Sequence, residues 1–142
     1  MPNGGTGLAV ALRPRVTVLD DSPELAELLR DVLRSDGLDV SLLEGQTSLQ
    51  DIEDSAPDLL VLDWRLATSH LTGLDIIRQA RSQPALRTVP IIVCSAALNE
   101  IAEHADELAV TPRVSLLPKP FSLEELETSV EQALGRPMAP AE

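Results

Sequence analysis

Five short apolar runs, "RVTVLDD", "LDVSLLEG", "DLLVLD", "TVPIIVCSA" and "RVSLLPKPF", recur along the chain with amphipathic stretches between them. That alternation constrains the fold more than any other feature. Short runs rich in β-branched residues read as strands. A helical segment between successive strands implies parallel pairing through right-handed crossovers. Apolar rather than alternating patterns suit strands covered on both faces. The prediction is an α/β domain with a five-stranded parallel sheet and five helices, doubly wound as (βα)5.

The intervening stretches carry their own start and stop chemistry. In "DSPELAELLRDVLRSDG", Ser22 can cap a helix and Pro23 suits its first turn. Leu25, Leu28, Leu29, Val32 and Leu33 recur at helical spacing, and Gly37 is a good stop. "SLQDIEDSAPD" predicts a short helix ending before Pro57. "TGLDIIRQARSQ" predicts a third, with Leu74, Ile76, Ile77 and Ala80 for burial. "NEIAEHADELAV" predicts a fourth, whose apolar face is mostly alanine. "SLEELETSVEQALG" opens with a capping box, Ser122 and Glu125. Its predicted buried stripe is Leu123, Leu126, Val130 and Leu134. Its acidic residues, Glu124, Glu125, Glu127 and Glu131, read as a solvated face.

Length and composition bound the function. The chain has 142 residues, 44% of them hydrophobic, enough for one domain with a sizeable core. The predicted organisation is a tail over 1–14, a domain over 15–135 and a tail over 136–142. No apolar run approaches the roughly 20 residues that span a bilayer. "MPNGGTGLAVALRPR" lacks a signal peptide's apolar core. The single cysteine, Cys94, excludes an internal disulfide, suits a reducing cytoplasm and reads as a small core residue. A net charge of −12 argues against nucleic-acid binding by this domain and leaves acid available to surround a cation. The expected location is cytoplasmic, with no membrane contact.

In parallel α/β sheets ligands sit at the carboxyl ends of the strands. The first strand ends in Asp20 and Asp21, the third in Asp63, the fourth in Ser95 and the fifth in Lys119. All therefore fall on one edge. Alone, Asp20 and Asp21 read as well as a helix-capping pair, Ser95 as a helix-start hydroxyl and Lys119 as a surface lysine. Together they form a chemical set. Three carboxylates repel one another, and a hard cation with oxygen ligands relieves that cost. Mg²⁺ suits an open crevice, and a hydroxyl and an ammonium can both meet phosphate oxygens. The set fits phosphoryl transfer to a carboxylate nucleophile.

At these residues the chain resembles the receiver domains of two-component response regulators. "VLDDSPE", "DLLVLDW", "TGLDIIRQAR", "VPIIVCSA" and "LLPKPFS" fall in that family's order and cover the chain from about Arg15 to Gly135. The resemblance implies the flavodoxin-like receiver fold. It implies that Asp63 accepts a phosphoryl group from a histidine kinase's phosphohistidine or a phosphotransfer protein. Asp20, Asp21, Asp63 and the backbone carbonyl of Arg65 would hold Mg²⁺. Ser95 would hydrogen-bond the phosphoryl oxygen, and Lys119 would pair with Asp63 and then with the phosphoryl group. The Lys119–Pro120 bond is expected to be cis. Such a domain is not an enzyme with an external substrate; it catalyses its own phosphorylation and, slowly, the reverse. An unknown output protein and a homodimer through helix four, strand five and helix five are the expected partners. With no second domain expected after Gly135, the chain reads as a stand-alone, chemotaxis-regulator-like protein or as a receiver cut from a longer one.

Several positions depart from the family pattern. Ala67 stands where a proline is common, and Gly73 follows Asp63 by ten residues instead of eight, so the loop is expected to be longer by two. Leu116 replaces the usual aromatic residue before the lysine, and the chain has no tyrosine. The common hydroxyl–aromatic switch therefore cannot operate in its usual form. Ala97 offers nothing to orient an attacking water, which predicts a slowly hydrolysing phospho-aspartate. Trp64 reads as packing, and His70 and His104 as solvated side chains. Two other classes compete. A pseudo-receiver would share the fold without phosphorylation. An aspartate-nucleophile phosphatase would need a second Asp where Arg65 stands.

Overall fold

Strand register decides which side chains meet at the sheet's edge. The computed structural model describes residues 13–44, 48–66 and 72–135. Within them lie β1 (Arg15–Leu19), α1 (Pro23–Ser35), β2 (Asp39–Leu43), α2 (Leu49–Asp54), β3 (Leu59–Asp63), α3 (Gly73–Ser82), β4 (Ile91–Ser95), α4 (Leu98–Ala102), α5 (Ala105–Val110), β5 (Val114–Pro118) and α6 (Leu123–Leu134). The strands form one sheet in the order β2-β1-β3-β4-β5, every pair parallel. This is the predicted α/β sheet and the flavodoxin-like arrangement.

Two apolar layers cover the sheet. On one face Leu60, Leu62 and Val93 pack with Ile52 of α2, Leu74, Ile76 and Ile77 of α3 and Ile101 of α4. On the other, Val16, Val18, Val61 and Ile92 pack with Leu29 and Leu33 of α1 and Leu126 and Val130 of α6. Full burial of each such side chain contributes about 1.5–3 kcal/mol. Residues Leu59–Leu62 of β3 and all of β4 are buried, as an apolar run predicts. The edge strands differ. In β2 only Val40 is buried and in β5 only Leu117, because each has a neighbour on one side alone.

The helix signals place the ends well. Ser22 Oγ accepts from the Leu25 amide at 3.3 Å, with Pro23 in the first turn. Gly37 takes φ +89°, the left-handed value that ends α1. Ser122 and Glu125 form both arms of the capping box that opens α6. The buried stripes are narrower than the spacing predicts: Leu28 of α1 and Leu123 of α6 are exposed. The predicted fourth helix is two short pieces, α4 and α5, joined by a turn at Glu103 and His104. Its alanine face buries too little to hold one continuous helix against the sheet.

Candidate functional site

Register brings the predicted residues to one edge. Leu19 pairs with Leu62, Asp63 with Cys94, and Ser95 with Pro118. Asp20, Asp63, Ser95 and Lys119 thus end four neighbouring strands. The Lys119 amide donates to the Ser95 carbonyl at 3.0 Å, carrying the β5 chain past Ser95. The Lys119–Pro120 peptide is cis, as expected. Lys119 Nζ then reaches Asp20 Oδ2 at 3.2 Å and Asp63 Oδ2 at 3.3 Å. A cleft of about 400 Å³ opens beside them, lined by Asp63, Arg65, Ser95, Ala97, Glu100 and Lys119.

Asp20, Asp63 and Ser95 are each held by a backbone amide. Asp20 is buried, and its Oδ1 accepts from the Ser22 amide at 2.9 Å, so it also orders the entry to α1. The helix cap itself is Ser22, and Asp20 holds that residue's amide. Asp63 Oδ1 accepts from the Arg65 amide at 3.2 Å. Ser95 is buried, and its Oγ accepts from the Ala97 amide at 2.8 Å, which leaves its own proton free to be donated. Asp21 follows Asp20, half-buried at the same edge.

Charge is concentrated and partly buried here. Burial raises the Asp63 carboxyl above its ordinary value; Lys119 opposes the shift and Asp20 adds to it. Burial alone would lower Lys119, but the charges of Asp20 and Asp63 outweigh it and raise the ammonium. Burial pushes the Cys94 thiol up to about 12, so it is an inert core residue. Among the described residues no three acidic, histidine or cysteine side chains close on one point as a complete cage. The donor set instead suits Mg²⁺, which takes one or two carboxylates and completes its shell with other oxygens and water.

The family model for the response regulator receiver domain matches residues 16–131. The chain belongs to the response regulator receiver family of two-component systems. Among curated relatives, the phosphate regulon transcriptional regulatory protein PhoB of Rhizobium meliloti is 34% identical over 124 residues, 87% of this chain and 53% of that protein. The response regulator MprA of Mycobacterium ulcerans is 36% identical over 123 residues, 86% of this chain and 50% of that protein. The chain thus spans about half the length of these relatives. Among solved structures, the receiver domain of a sensor histidine kinase from Pseudomonas aeruginosa PAO1 carries a magnesium ion in its active-site cleft; it is 25% identical, has a TM-score of 0.72, and the match covers 87% of this chain and 99% of that one. A response regulator structure from Chloroflexus aurantiacus is 29% identical with a TM-score of 0.74, over 88% of this chain and all (100%) of that one.

Other features of this receiver's edge escape a reading of sequence. Gly73 opens α3 where an added Cβ would lie 2.9 Å from the Asp63 carbonyl oxygen, the Trp64 Cα and the Trp64 carbonyl oxygen. Its amide donates to the Trp64 carbonyl at 3.0 Å. The glycine is needed for this approach, which pins the chain just after Asp63. Glu100 is the second omission, because it takes the Arg65 guanidinium from 35 residues away. Trp64 is buried as predicted, but its ring lies 5.8 Å from that of His104, which is half-buried and not simply solvated. The extra length of the loop, with Ala67 and His70, lies outside the described residues, as do most of the two predicted tails. Leu116 stands exposed on β5.

Proposed function

We propose that this receiver takes a phosphoryl group onto Asp63 and uses the modified aspartate to change what it binds. The observation that carries the reading is Lys119 bridging Asp20 and Asp63 at 3.2 and 3.3 Å beside a cleft wide enough for a phosphoryl donor. An Asp63 carboxylate oxygen attacks phosphorus as the P–N bond of a phosphohistidine breaks. The electron pair leaves with the imidazole of the donor, a histidine kinase or phosphotransfer protein. Lys119 follows the charge from the carboxylate to the phosphoryl oxygens. Ser95 donates its hydroxyl to one of those oxygens. Asp20, Asp21, Asp63 and the Arg65 carbonyl would hold Mg²⁺, which supplies charge neutralisation when bound. Ala97 lines the cleft with no group that could orient an attacking water, so hydrolysis is slow, on a scale longer than seconds.

The working unit is residues 15–135, acting in the cytoplasm; no described helix is long and apolar enough to cross a membrane. Its product is its own modified state, read by an output protein or by a second copy through the face made by α4, β5 and α6. A pseudo-receiver is the second reading, favoured by one observation: Leu116, with no ring to swing inward, is 44% exposed on β5. One experiment separates the two. Acetyl phosphate with Mg²⁺ is expected to add one phosphoryl group by intact mass, lost in Asp63→Asn and on chelation. An unlabelled wild-type chain would establish the pseudo-receiver.

A further inference from the structure

Arg65 stands two residues beyond Asp63, and its guanidinium is committed to Glu100. Nε donates to Oε1 at 2.9 Å and to Oε2 at 3.2 Å, and Nη2 donates to Oε2 at 2.9 Å. The contact joins the chain after β3 to α4. Both residues line the cleft that holds Asp63, Ser95 and Lys119. The pair is open to water, with side-chain exposures of 70% and 40%. Exposure to water keeps such a pair's worth small, even in this forked geometry. Glu100 contributes most to raising the guanidinium's proton affinity, and the Asp63 charge adds to it.

What this pair restrains is weakly built. The Ala97 N-cap gives α4 no side-chain bond, and α4 buries only Ile101. α5 buries no residue. Besides the packing of Ile101 and Leu108 on the core, three polar or ring contacts among the described residues tie the segment from Leu98 to Val110 to the β3–α3 side. They are Arg65–Glu100, Arg78–Glu107 at 2.8 Å, and the Trp64–His104 ring contact. On its other side an apolar cavity of about 470 Å³, lined by Leu98, Ile101, Leu108, Val114 and Leu116, leaves room for it to shift toward β5. The segment meets the site's cleft through one ion pair and is loosely packed where it faces β5.

We propose that Arg65 is a cation shared between two anions, Glu100 before phosphorylation and the Asp63 phosphoryl group after it, so that modification of Asp63 releases α4 and α5. The exchange breaks and forms hydrogen bonds only, and it rests on Asp63 being the phosphoryl acceptor. A phosphoryl group brings about 1.5–2 negative charges and three acceptor oxygens, more than the single charge of Glu100. The planar fork of arginine suits either partner. A change of state requires a difference in affinity between the two, and the added charge supplies it. In this chain the ion pair does at the site's rim what Leu116 cannot do at β5.

The two ends of the pair give opposite expectations. The full chain is labelled with acetyl phosphate and Mg²⁺, the rate read by intact mass, and amide exchange is followed over Leu98 to Val110. Labelling of the wild type is expected to accelerate exchange in that segment. Glu100→Gln frees the guanidinium, so labelling becomes faster, by up to about fivefold for an exposed pair. Arg65→Gln removes the guanidinium, so labelling becomes slower by a similar factor, and Arg65→Lys falls between. In Glu100→Gln and Arg65→Gln the segment exchanges fast before labelling and gains little from it. A merely structural ion pair would move both labelling rates the same way or not at all, and that result overturns the shared-cation proposal alone. A wild-type chain that takes no label overturns the Asp63 reading and this proposal with it.

Discussion

Two helices leave the site edge of the sheet side by side, and they are built in opposite ways. α3, after β3, begins with a complete capping box: Thr72 Oγ1 accepts from the Asp75 amide at 3.1 Å, and Asp75 Oδ2 accepts from the Thr72 amide at 3.0 Å. It buries Gly73, Leu74, Ile76, Ile77 and Ala80. α4, after β4, begins at an alanine and buries one residue. The difference divides labour. The chain just after Asp63 is pinned by α3, which on the reading proposed above helps to aim the acceptor carboxylate. The chain after Ser95 has few buried contacts, which is where local opening is cheapest. On the proposed reading, aim and response belong to adjacent connections joined by the Arg65–Glu100 pair.

The sharpest way to break this comparison is to exchange a methyl group at the two helix starts. Gly73→Ala puts a Cβ 2.9 Å from three backbone atoms of Asp63 and Trp64, none of which can swing aside. Overpacking of this kind costs about 1–3 kcal/mol, read by urea denaturation. Ala97→Gly is expected to gain a few tenths of a kcal/mol, since glycine is the better N-cap. Equal effects at the two positions would show that α3 does not pin the site. A smaller effect follows at the caps. Thr72→Ala is expected to cost about 1 kcal/mol. Ala97→Ser, which offers α4 the cap it lacks, is expected to slow amide exchange in α4 and leave α3 unchanged.

These contrasts were only partly legible in the sequence. The strands were, because β-branched runs of this length have few alternatives. The placement of the candidate site was, because a parallel sheet delivers every strand end to one edge, where Asp20, Asp63, Ser95 and Lys119 lie and Lys119 reaches both aspartates. Leu74, Ile76, Ile77 and Ala80 were legible as the buried face of α3 because their spacing is strict. The break at Glu103 and His104 was not, because an alanine-rich face sets no register. Nor was the pair of Arg65 and Glu100, since contacts between exposed charges on different elements leave no periodic trace. Gly73 was visible as a glycine but not as a contact, since the atoms it approaches belong to a strand already passed. Leu28 and Leu123 misled for a different reason: helical spacing marks a face, and how much of that face is covered depends on the neighbours.

The pH dependence tests the still half of the pair. Burial holds the folded Asp63 carboxyl above its ordinary value of 3.8. The folded domain therefore binds that proton more tightly than the unfolded chain does. Its contribution to stability is present below the ordinary value and lost as pH rises through the raised one. Lys119 is raised as well, so its contribution persists below its ordinary 10.5 and is lost only at higher pH, outside this window. Asp63→Asn removes the carboxyl's slope. The variant is expected to be more stable than the wild type near pH 7, with the gap closing in acid, measured by thermal melts at several pH values. A gap independent of pH would place the cost of Asp63 in packing.

Salt should produce the smallest effect and bears on the loose half alone. The polar part of the restraint on α4 and α5 is the two exposed pairs, Arg65–Glu100 and Arg78–Glu107. At about 1 M salt the screening length falls to about 3 Å, comparable with these contacts. Amide exchange over Leu98 to Val110 is then expected to rise by about twofold, the scale of an exposed pair. α3 is held by apolar burial and by hydrogen bonds at its cap, neither of which depends on screened charge to the same degree. Its exchange is expected to stay the same. If salt accelerates both helices together, the two connections open as one unit, and the separation of aim from response fails. If it accelerates neither, the Trp64–His104 contact and the burial of Ile101 are enough to hold α4, and the ion pairs are surface decoration.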